Sequence, residues 1–105
     1  WDLGDLADQL DAACEGEWTA ERLRESGERT WNLERLFNMK AGLTMADDTL
    51  PPRMLNDPVK TGTAKGNVNE LDVMLPEYYS LREWSESGVP TDAVLKRLDL
   101  GAFSL

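Results

Sequence analysis

Apolar side chains recur every three to four residues in four separate stretches of this chain, which is the spacing of one face of an α-helix. The first stretch places its apolar side at Leu3, Leu6, Ala7, Leu10, Ala13 and Cys14. Gly16 follows and predicts the end of this helix. Because Cys14 lies on the apolar side, we expect it to be a small buried hydrophobe rather than a reactive thiol.

The second stretch predicts a long central helix from about residue 20 to residue 41. Thr19 is a favourable N-cap, and Gly42 stands where a left-handed C-terminal cap is expected. The predicted apolar face consists of Leu33, Leu36 and Phe37, with Trp31 as a further large apolar side chain. Gly27 falls in the interior of this helix. It either allows another backbone to approach closely or divides the helix into two segments.

Between residues 43 and 67 the periodicity disappears, and prolines, glycines, asparagines and aspartates predict a long loop. Pro51 to Leu55 are compatible with one helical turn, because proline is tolerated in the first turn of a helix. A loop of this length is usually functional or packed on a neighbour, and here we favour packing on a neighbour.

The third stretch has Asn69 as its predicted N-cap. Its apolar side consists of Leu71, Met74, Leu75, Tyr78 and Leu81. Pro76 should kink this helix or split it after Met74, because proline lacks an amide donor and clashes with the preceding turn. Ser87 and Gly88 end the segment.

The fourth stretch is short and begins after Thr91, its predicted cap. It continues through Val94, Leu95 and Leu98, and Leu100 and Phe103 belong to a tail that docks or frays. No alternating pattern typical of strands occurs. We therefore expect an all-α fold with residues 1–105 as a single domain. It is a small irregular bundle of about four helices, with residues 43–67 as one long loop.

The charge of the chain argues against two classes of partner. Twenty acidic and eleven basic side chains give a formal charge of −9. Nucleic acids and anionic membrane surfaces are bound by clustered lysine and arginine, which this chain lacks. No apolar run approaches the roughly 20 residues that a membrane span requires.

The residue types also restrict the chemistry. The chain contains no histidine and one cysteine, so zinc sites, iron–sulfur sites and histidine-dependent triads cannot be built from it alone. A lone thiol suits a reducing compartment and favours the cytoplasm. Asp47 and Asp48 are interpreted as solvated or helix-capping residues, and residues 63–66 only superficially match a phosphate loop. We expect no catalytic, cofactor-binding or metal-binding residue in this chain.

Three blocks of sequence resemble the C-terminal end of the aldehyde ferredoxin oxidoreductase family. They are GERTWNLERLFNMKAG (27–42), DDTLPPRML (47–55) and TAKGNVNELDVMLPEYYSLREWSESGVPT (63–91), followed by VLKRLDL (94–100). The resemblance covers about residues 5–100 in consistent order. It departs from the family pattern at Lys40, where arginine is usual, at Pro76, where an acidic residue is common, and at Glu83, where glycine is common.

The resemblance implies that this chain is the C-terminal helical domain of a larger enzyme, and it begins with Trp1 rather than methionine. Enzymes of this family use tungsten or molybdenum held by two pterins and a 4Fe–4S cluster to oxidise aldehydes to carboxylic acids, and they pass electrons to ferredoxin. The cluster cysteines, the pterin-binding acidic motif and the catalytic glutamate and histidine are expected upstream. Cys14 falls where the family has an ordinary small residue, so it receives no ligand role.

Four polar residues of the central helix belong to the resembling block: Asn32, Glu34, Arg35 and Asn38. They could make buried contacts to the upstream domains of the parent enzyme. We favour the simpler interpretation, in which they pair on the helix surface or tether the long loop. The alternative function is a stand-alone helical module that binds a protein partner through its aromatic residues.

Overall fold

The computed structural model describes residues 2–105, which form five α-helices and no strand. The helices are α1 (Leu3–Ala13), α2 (Ala20–Lys40), α3 (Pro52–Asn56), α4 (Leu71–Leu81) and α5 (Asp92–Arg97). Single 3₁₀ turns occur at Met45–Asp47 and Gly101–Phe103. The predicted all-α class is confirmed.

Helix α1 begins with a capping box, in which the side chains of Asp2 and Asp5 each accept a hydrogen bond from the other's backbone amide at 3.0 Å. It packs on α2 and buries Ala7. The predicted burial of Cys14 is wrong, because this residue is exposed. The helix ends at Ala13, and Cys14 has an extended backbone (φ −121°, ψ 139°), which takes its side chain off the helical face.

Helix α2 is continuous through Gly27, and a methyl group added to that glycine would meet nothing within 4 Å. Both explanations offered for this glycine are therefore wrong. The predicted ends are confirmed. The side chain of Thr19 accepts from the amide of Arg22 at 3.1 Å, and Gly42 has a left-handed φ of 104°.

The predicted apolar face of α2 is only partly correct. Leu36 is buried, whereas Leu33 is 40% exposed and Phe37 is 71% exposed. The face that turns inward carries Asn32, Arg35 and Leu36 instead. The reason is that long-range polar contacts, described below, decide which side of α2 faces the other elements.

The apolar core is small and lies where α2 meets α5. Its members are Leu36, Val94, Leu95, Leu98 and Leu100. The side chain of Thr91 caps α5 as predicted, accepting from the amide of Val94 at 3.4 Å. In the tail, Leu100 docks into this core while Phe103 stays half exposed.

Helix α4 begins differently from its prediction. Glu70, not Asn69, precedes its first turn, and no side chain caps it. Of the two outcomes predicted for Pro76, the split after Met74 does not occur, because the helix continues through Pro76 to Leu81. A proline inside a helix costs about 3 kcal/mol. The burial of Tyr79 further along the same helix offsets a cost of that size, since burying an aromatic side chain contributes about 1.5–3 kcal/mol.

Residues 43–70 are more ordered than the predicted loop. The expected helical turn is present as α3. Beyond it, the amide of Val59 donates to the carbonyl of Asn67 at 2.9 Å, and the amide of Gly66 donates to the carbonyl of Val59 at 2.8 Å. These two hydrogen bonds close residues 59–67 into a compact turn.

The backbone at Glu83 accounts for the glycine that is common at this position in the family. Its φ is +57°, in the left-handed region where a side chain costs roughly 1–2 kcal/mol and glycine costs little. Its carboxylate contacts the guanidinium of Arg97, which also binds both carboxylate oxygens of Glu28 at 2.9 and 3.1 Å. Because Glu83 and Arg97 are both about half exposed, their ion pair contributes little.

We therefore expect Glu83→Gly to leave the free energy of unfolding unchanged or to raise it by about 0.5 kcal/mol, since relief of the left-handed cost outweighs loss of an exposed ion pair. Glu83→Ala removes the pair and keeps the left-handed cost, so it should be the less stable of the two. Urea unfolding of both variants checks this, and an alanine variant as stable as the glycine variant would contradict it.

Candidate functional site

A cleft of about 430 Å³ lies between α2, the segment at residues 47–50 and α4. Arg35, Asp48 and Tyr79 contribute its central polar groups, with Glu34 and Asn38 from the neighbouring turns of α2. We refer to it as the α2–α4 cleft.

Arg35 holds the cleft together. Its Nη1 and Nη2 donate to the two oxygens of Asp48 at 2.8 and 2.6 Å, and its Nε donates to the carbonyl of Gly88 at 2.9 Å. The hydroxyl of Tyr79 donates to the same carboxylate. A planar guanidinium paired with a carboxylate at two atoms gives a strong and directional contact. The Arg35 network, as we call these four residues, thus ties α2 to the loop and to the turn after α4.

The same contacts fix the protonation states. Hydrogen bonds from Arg35 hold the pKa of Asp48 below its ordinary value, and Asp48 in turn raises the pKa of Arg35. Burial, followed by the hydrogen bond to Asp48, raises the pKa of Tyr79 to about 12. General acid–base catalysis requires a pKa near the working pH. These three groups are shifted away from it, so the network is suited to positioning rather than to proton transfer.

Gly88 is required by this arrangement. Its φ of +73° is left-handed, and a Cβ atom at this position would lie 2.5 Å from Nη2 of Arg35 and 2.7 Å from Cζ of Tyr79. Only glycine allows the backbone to come this close to both side chains.

Asn32 makes a second buried contact beside the network. Its Oδ1 accepts from Nε1 of Trp84 at 2.8 Å, and its Nδ2 donates to the carbonyl of Glu28 at 2.9 Å. The guanidinium of Arg35 lies over the Trp84 ring, 5.1 Å from its centre. The side chain of Asn32 is therefore satisfied within this chain.

Trp84→Phe is expected to lower the free energy of unfolding by about 2 kcal/mol, because it leaves the buried Oδ1 of Asn32 without a donor. Trp31→Phe is the matched control. The Nε1 of Trp31 donates to the hydroxyl of Tyr78 at 2.6 Å, but this residue is 46% exposed and water can replace the bond. Chemical denaturation should show a loss below about 1 kcal/mol for the control, and equal losses would contradict the assignment.

The structure separates the four polar residues that the sequence singled out on α2. Asn32 and Arg35 are buried and bonded within the chain, and Arg35 tethers the long loop as the favoured interpretation expected. Glu34 and Asn38 are exposed and face the α2–α4 cleft.

Sequence reasoning missed the partners of Arg35. Asp48 was interpreted as solvated or capping, whereas its neighbour Asp47 has the capping role, accepting from the amide of Thr44 at 2.7 Å. Tyr79 was missed as well, and Gly88 was interpreted only as a helix stop. The sequence does single out Asp48, Tyr79 and Gly88, because all three match the family pattern. The pattern does not indicate which of these residues contact each other.

The described residues do not fit a metal or cluster site. Residues 2–105 contain no group of three or more histidine, cysteine, aspartate or glutamate side chains that could hold a metal ion. The single cysteine is exposed and stands apart from the α2–α4 cleft. In the same part of the chain, no helix combines the length and apolar character that a membrane crossing requires.

A solved structure has the same arrangement of helices. It is described as the active site complex BamBC of benzoyl coenzyme A reductase in complex with 1,5-dienoyl-CoA. The match covers 98% of this chain and 14% of that chain, with a TM-score of 0.77 and 24% sequence identity. At this identity the likeness shows a shared fold only. The matching part of the reductase structure is a short segment of a much longer chain.

The sequence comparisons are more specific. The family described as aldehyde ferredoxin oxidoreductase, domains 2 and 3, matches residues 1–100. The tungsten-containing aldehyde ferredoxin oxidoreductase of Pyrococcus abyssi is 47% identical over 100 residues, which is 94% of this chain. The enzyme of the same name from Thermococcus kodakarensis is 51% identical over 85 residues, or 80% of this chain. The chain belongs to the aldehyde ferredoxin oxidoreductase family.

The chain is nevertheless a small part of such proteins. It spans 16% of the length of the Pyrococcus abyssi relative and 14% of the Thermococcus kodakarensis relative. It therefore corresponds to one segment of the proteins in this family and not to their full length.

Proposed function

We propose that this chain is the C-terminal helical domain of an aldehyde ferredoxin oxidoreductase-like enzyme, and that residues 1–105 act in it as one supporting unit. The parent enzyme would oxidise an aldehyde to a carboxylic acid at a tungsten or molybdenum centre held by two pterins. A 4Fe–4S cluster would then pass electrons to ferredoxin in the cytoplasm. Support comes from the tungsten-containing relatives and, within this chain, from an excess of accessible surface that includes many large apolar side chains.

The accessible surface of the chain carries this proposal. It measures 7972 Å², whereas a compact monomer of 11.8 kDa exposes about 5,900 Å². The radius of gyration is 17.9 Å, against about 13 Å for a compact domain of this length. Obligate interfaces bury about 1,000–2,500 Å² on each partner, and the excess of about 2,000 Å² falls within that range.

The exposed side chains are of the kind that interfaces bury. Fourteen large apolar residues are exposed among residues 2–105, compared with eight buried apolar residues. Phe37 on α2 and Leu81 on α4 are more than two-thirds exposed, and Val73 and Met74 add to the outer side of α4. Val73, Met74 and Leu81 lie along one side of α4, and an exposed row of apolar side chains is typical of an interaction surface. We propose that the remaining parts of the parent enzyme cover it.

The Arg35 network gives this support a defined geometry. It fixes the loop at Asp48 and the turn at Gly88 relative to α2. A rigid surface of this kind could form a wall of the cofactor site or of the substrate channel. None of its side chains would need to touch the reacting atoms.

The test is a comparison between the whole polypeptide that carries these residues and the same polypeptide lacking them. The whole protein should contain tungsten or molybdenum, show iron–sulfur absorption and reduce a viologen dye when aldehyde is added. The shortened protein should lose solubility or activity, and the 105-residue chain alone should show neither absorption nor activity. A whole protein without metal or aldehyde oxidation would overturn the proposal, as would a stoichiometric cluster bound to the 105-residue chain.

A further inference from the structure

Two polar side chains of the α2–α4 cleft have no partner within residues 2–105. The carboxylate of Glu34 and the amide of Asn38 face the cleft and are exposed, and neither forms a hydrogen bond or an ion pair with another described residue. Their neighbour Arg35 has its charge paired with Asp48 and three of its five N–H donors bonded to Asp48 and Gly88. The cleft therefore presents unused acceptors beside an arginine whose charge is already paired.

The charge of the cleft is unbalanced. Its lining carries three carboxylates, at Glu34, Asp47 and Asp48, and one guanidinium at Arg35. Because Arg35 and Asp48 neutralise each other, the charges of Glu34 and Asp47 remain. Concave surfaces of one sign attract and orient a group of the opposite sign, so the cleft favours a cation.

The walls of the cleft favour a particular kind of cation. Trp31 and Tyr78 line one side, and Leu71 and Leu75 line another. Arg82 lies over both aromatic rings, 5.3 Å from each centre, but is not itself part of the cleft lining. A long side chain with an apolar stem and a cationic end matches aromatic and aliphatic walls with carboxylates at the rim.

We propose that the α2–α4 cleft receives one basic side chain, arginine or lysine, from a segment of the parent polypeptide outside residues 1–105. This inference rests on the proposed function and names the contact by which the domain docks. A second copy of this chain is a poor occupant, because each copy carries a charge of −9. The excess of exposed surface and the apolar side chains on α2 and α4 indicate a protein segment rather than a small cation.

Carboxylate labelling of the whole enzyme tests the proposal. A water-soluble carbodiimide couples glycine ethyl ester to accessible carboxylates, and mass spectrometry reports the modified fraction at each residue. Glu34 should be protected in the native enzyme and labelled after unfolding. Glu86 is the control, because it is an exposed glutamate in the turn after α4 that does not line the cleft, and it should be labelled in both states. Labelling of native Glu34 to the same extent as Glu86 would overturn the proposal.

Charge reversal provides a second measurement that does not depend on labelling. Glu34→Lys in the whole enzyme should lower the thermal midpoint and expose the domain to proteolysis, since two cations would then meet in the cleft. Glu34→Gln should have a smaller effect, and Glu86→Lys should have none. Equal effects of Glu34→Lys and Glu86→Lys would argue against the proposed pair. So would protection of Glu34 that appears only when aldehyde is added, because that outcome assigns the cleft to a small molecule.

The outcomes distinguish this inference from the function on which it rests. Metal content and aldehyde oxidation are measured on the same preparation. An active, metal-containing enzyme with a fully labelled Glu34 would refute the docking contact alone. An inactive, metal-free enzyme with a protected Glu34 would refute the proposed function and leave the contact standing.

Discussion

Gly88→Ala should destabilise the chain by about 3 kcal/mol or more, the largest effect that we expect from adding a single methyl group. Two costs combine at this position. The left-handed backbone penalises any side chain, and the new Cβ would also lie 2.5 Å from Arg35 and 2.7 Å from Tyr79. Neither neighbour can move without loss, because both are bonded to Asp48. Chemical denaturation measures the loss.

Gly62→Ala is the matched control for this substitution. Gly62 has a similar left-handed φ of 83°, but a Cβ there would meet nothing within 4 Å. The control therefore isolates the backbone cost, which is about 1–2 kcal/mol. The difference between the two variants reports the crowding at the Arg35 network. Equal losses for Gly62→Ala and Gly88→Ala would show that Arg35 and Tyr79 move aside without cost and that their close packing on Gly88 does not contribute to stability.

Asp48→Asn should lower the free energy of unfolding by about 3 kcal/mol, because the buried guanidinium of Arg35 loses its counter-charge. The carboxylate is partly exposed, which keeps the effect at the lower end of the range for broken buried pairs. Asp47→Asn is the control at the adjacent position, where only a short 3₁₀ turn loses its cap and a loss near 1 kcal/mol is expected. Thermal and urea unfolding of both variants give the comparison.

The same network predicts how stability depends on pH. Arg35 depresses the pKa of Asp48 below its ordinary 3.8, so this contribution is complete above that pH and is lost as the pH falls through the lowered value. The pKa of Tyr79 is raised from 10.0 to about 12, so its contribution is complete below pH 10 and is lost as the pH rises towards 12. Asp48→Asn should flatten the acid limb of the stability profile, and an unchanged limb would exclude this carboxylate as its source.

Local signals were sufficient to predict most of the fold. Thr19 and Thr91 cap their helices as expected because capping depends only on neighbours within three residues. Gly42 ends α2 for the same kind of reason. The family blocks added the identity of the chain, which periodicity alone could not supply.

The candidate site was less predictable because its contacts are distant in sequence. Arg35 meets Asp48 and Gly88 at separations of 13 and 53 residues, and no periodic pattern encodes such pairs. The same contacts turn Arg35 inward and leave Phe37 exposed, contrary to a face chosen by apolar content. The proposed packing against the rest of a larger enzyme would bury exposed apolar residues of this kind.

The reach of Arg35 also has a consequence for how the structure opens. The side chain of Arg35 joins α2 to the loop at Asp48 and to the turn at Gly88, which are far apart in sequence. If the loop at Asp48 detaches, the contact that holds the turn at Gly88 is weakened at the same time. Residues 43–50 should therefore not fray independently as an ordinary surface loop does. Their amide protons should exchange together with those around Tyr79 and Gly88, as one cooperative unit.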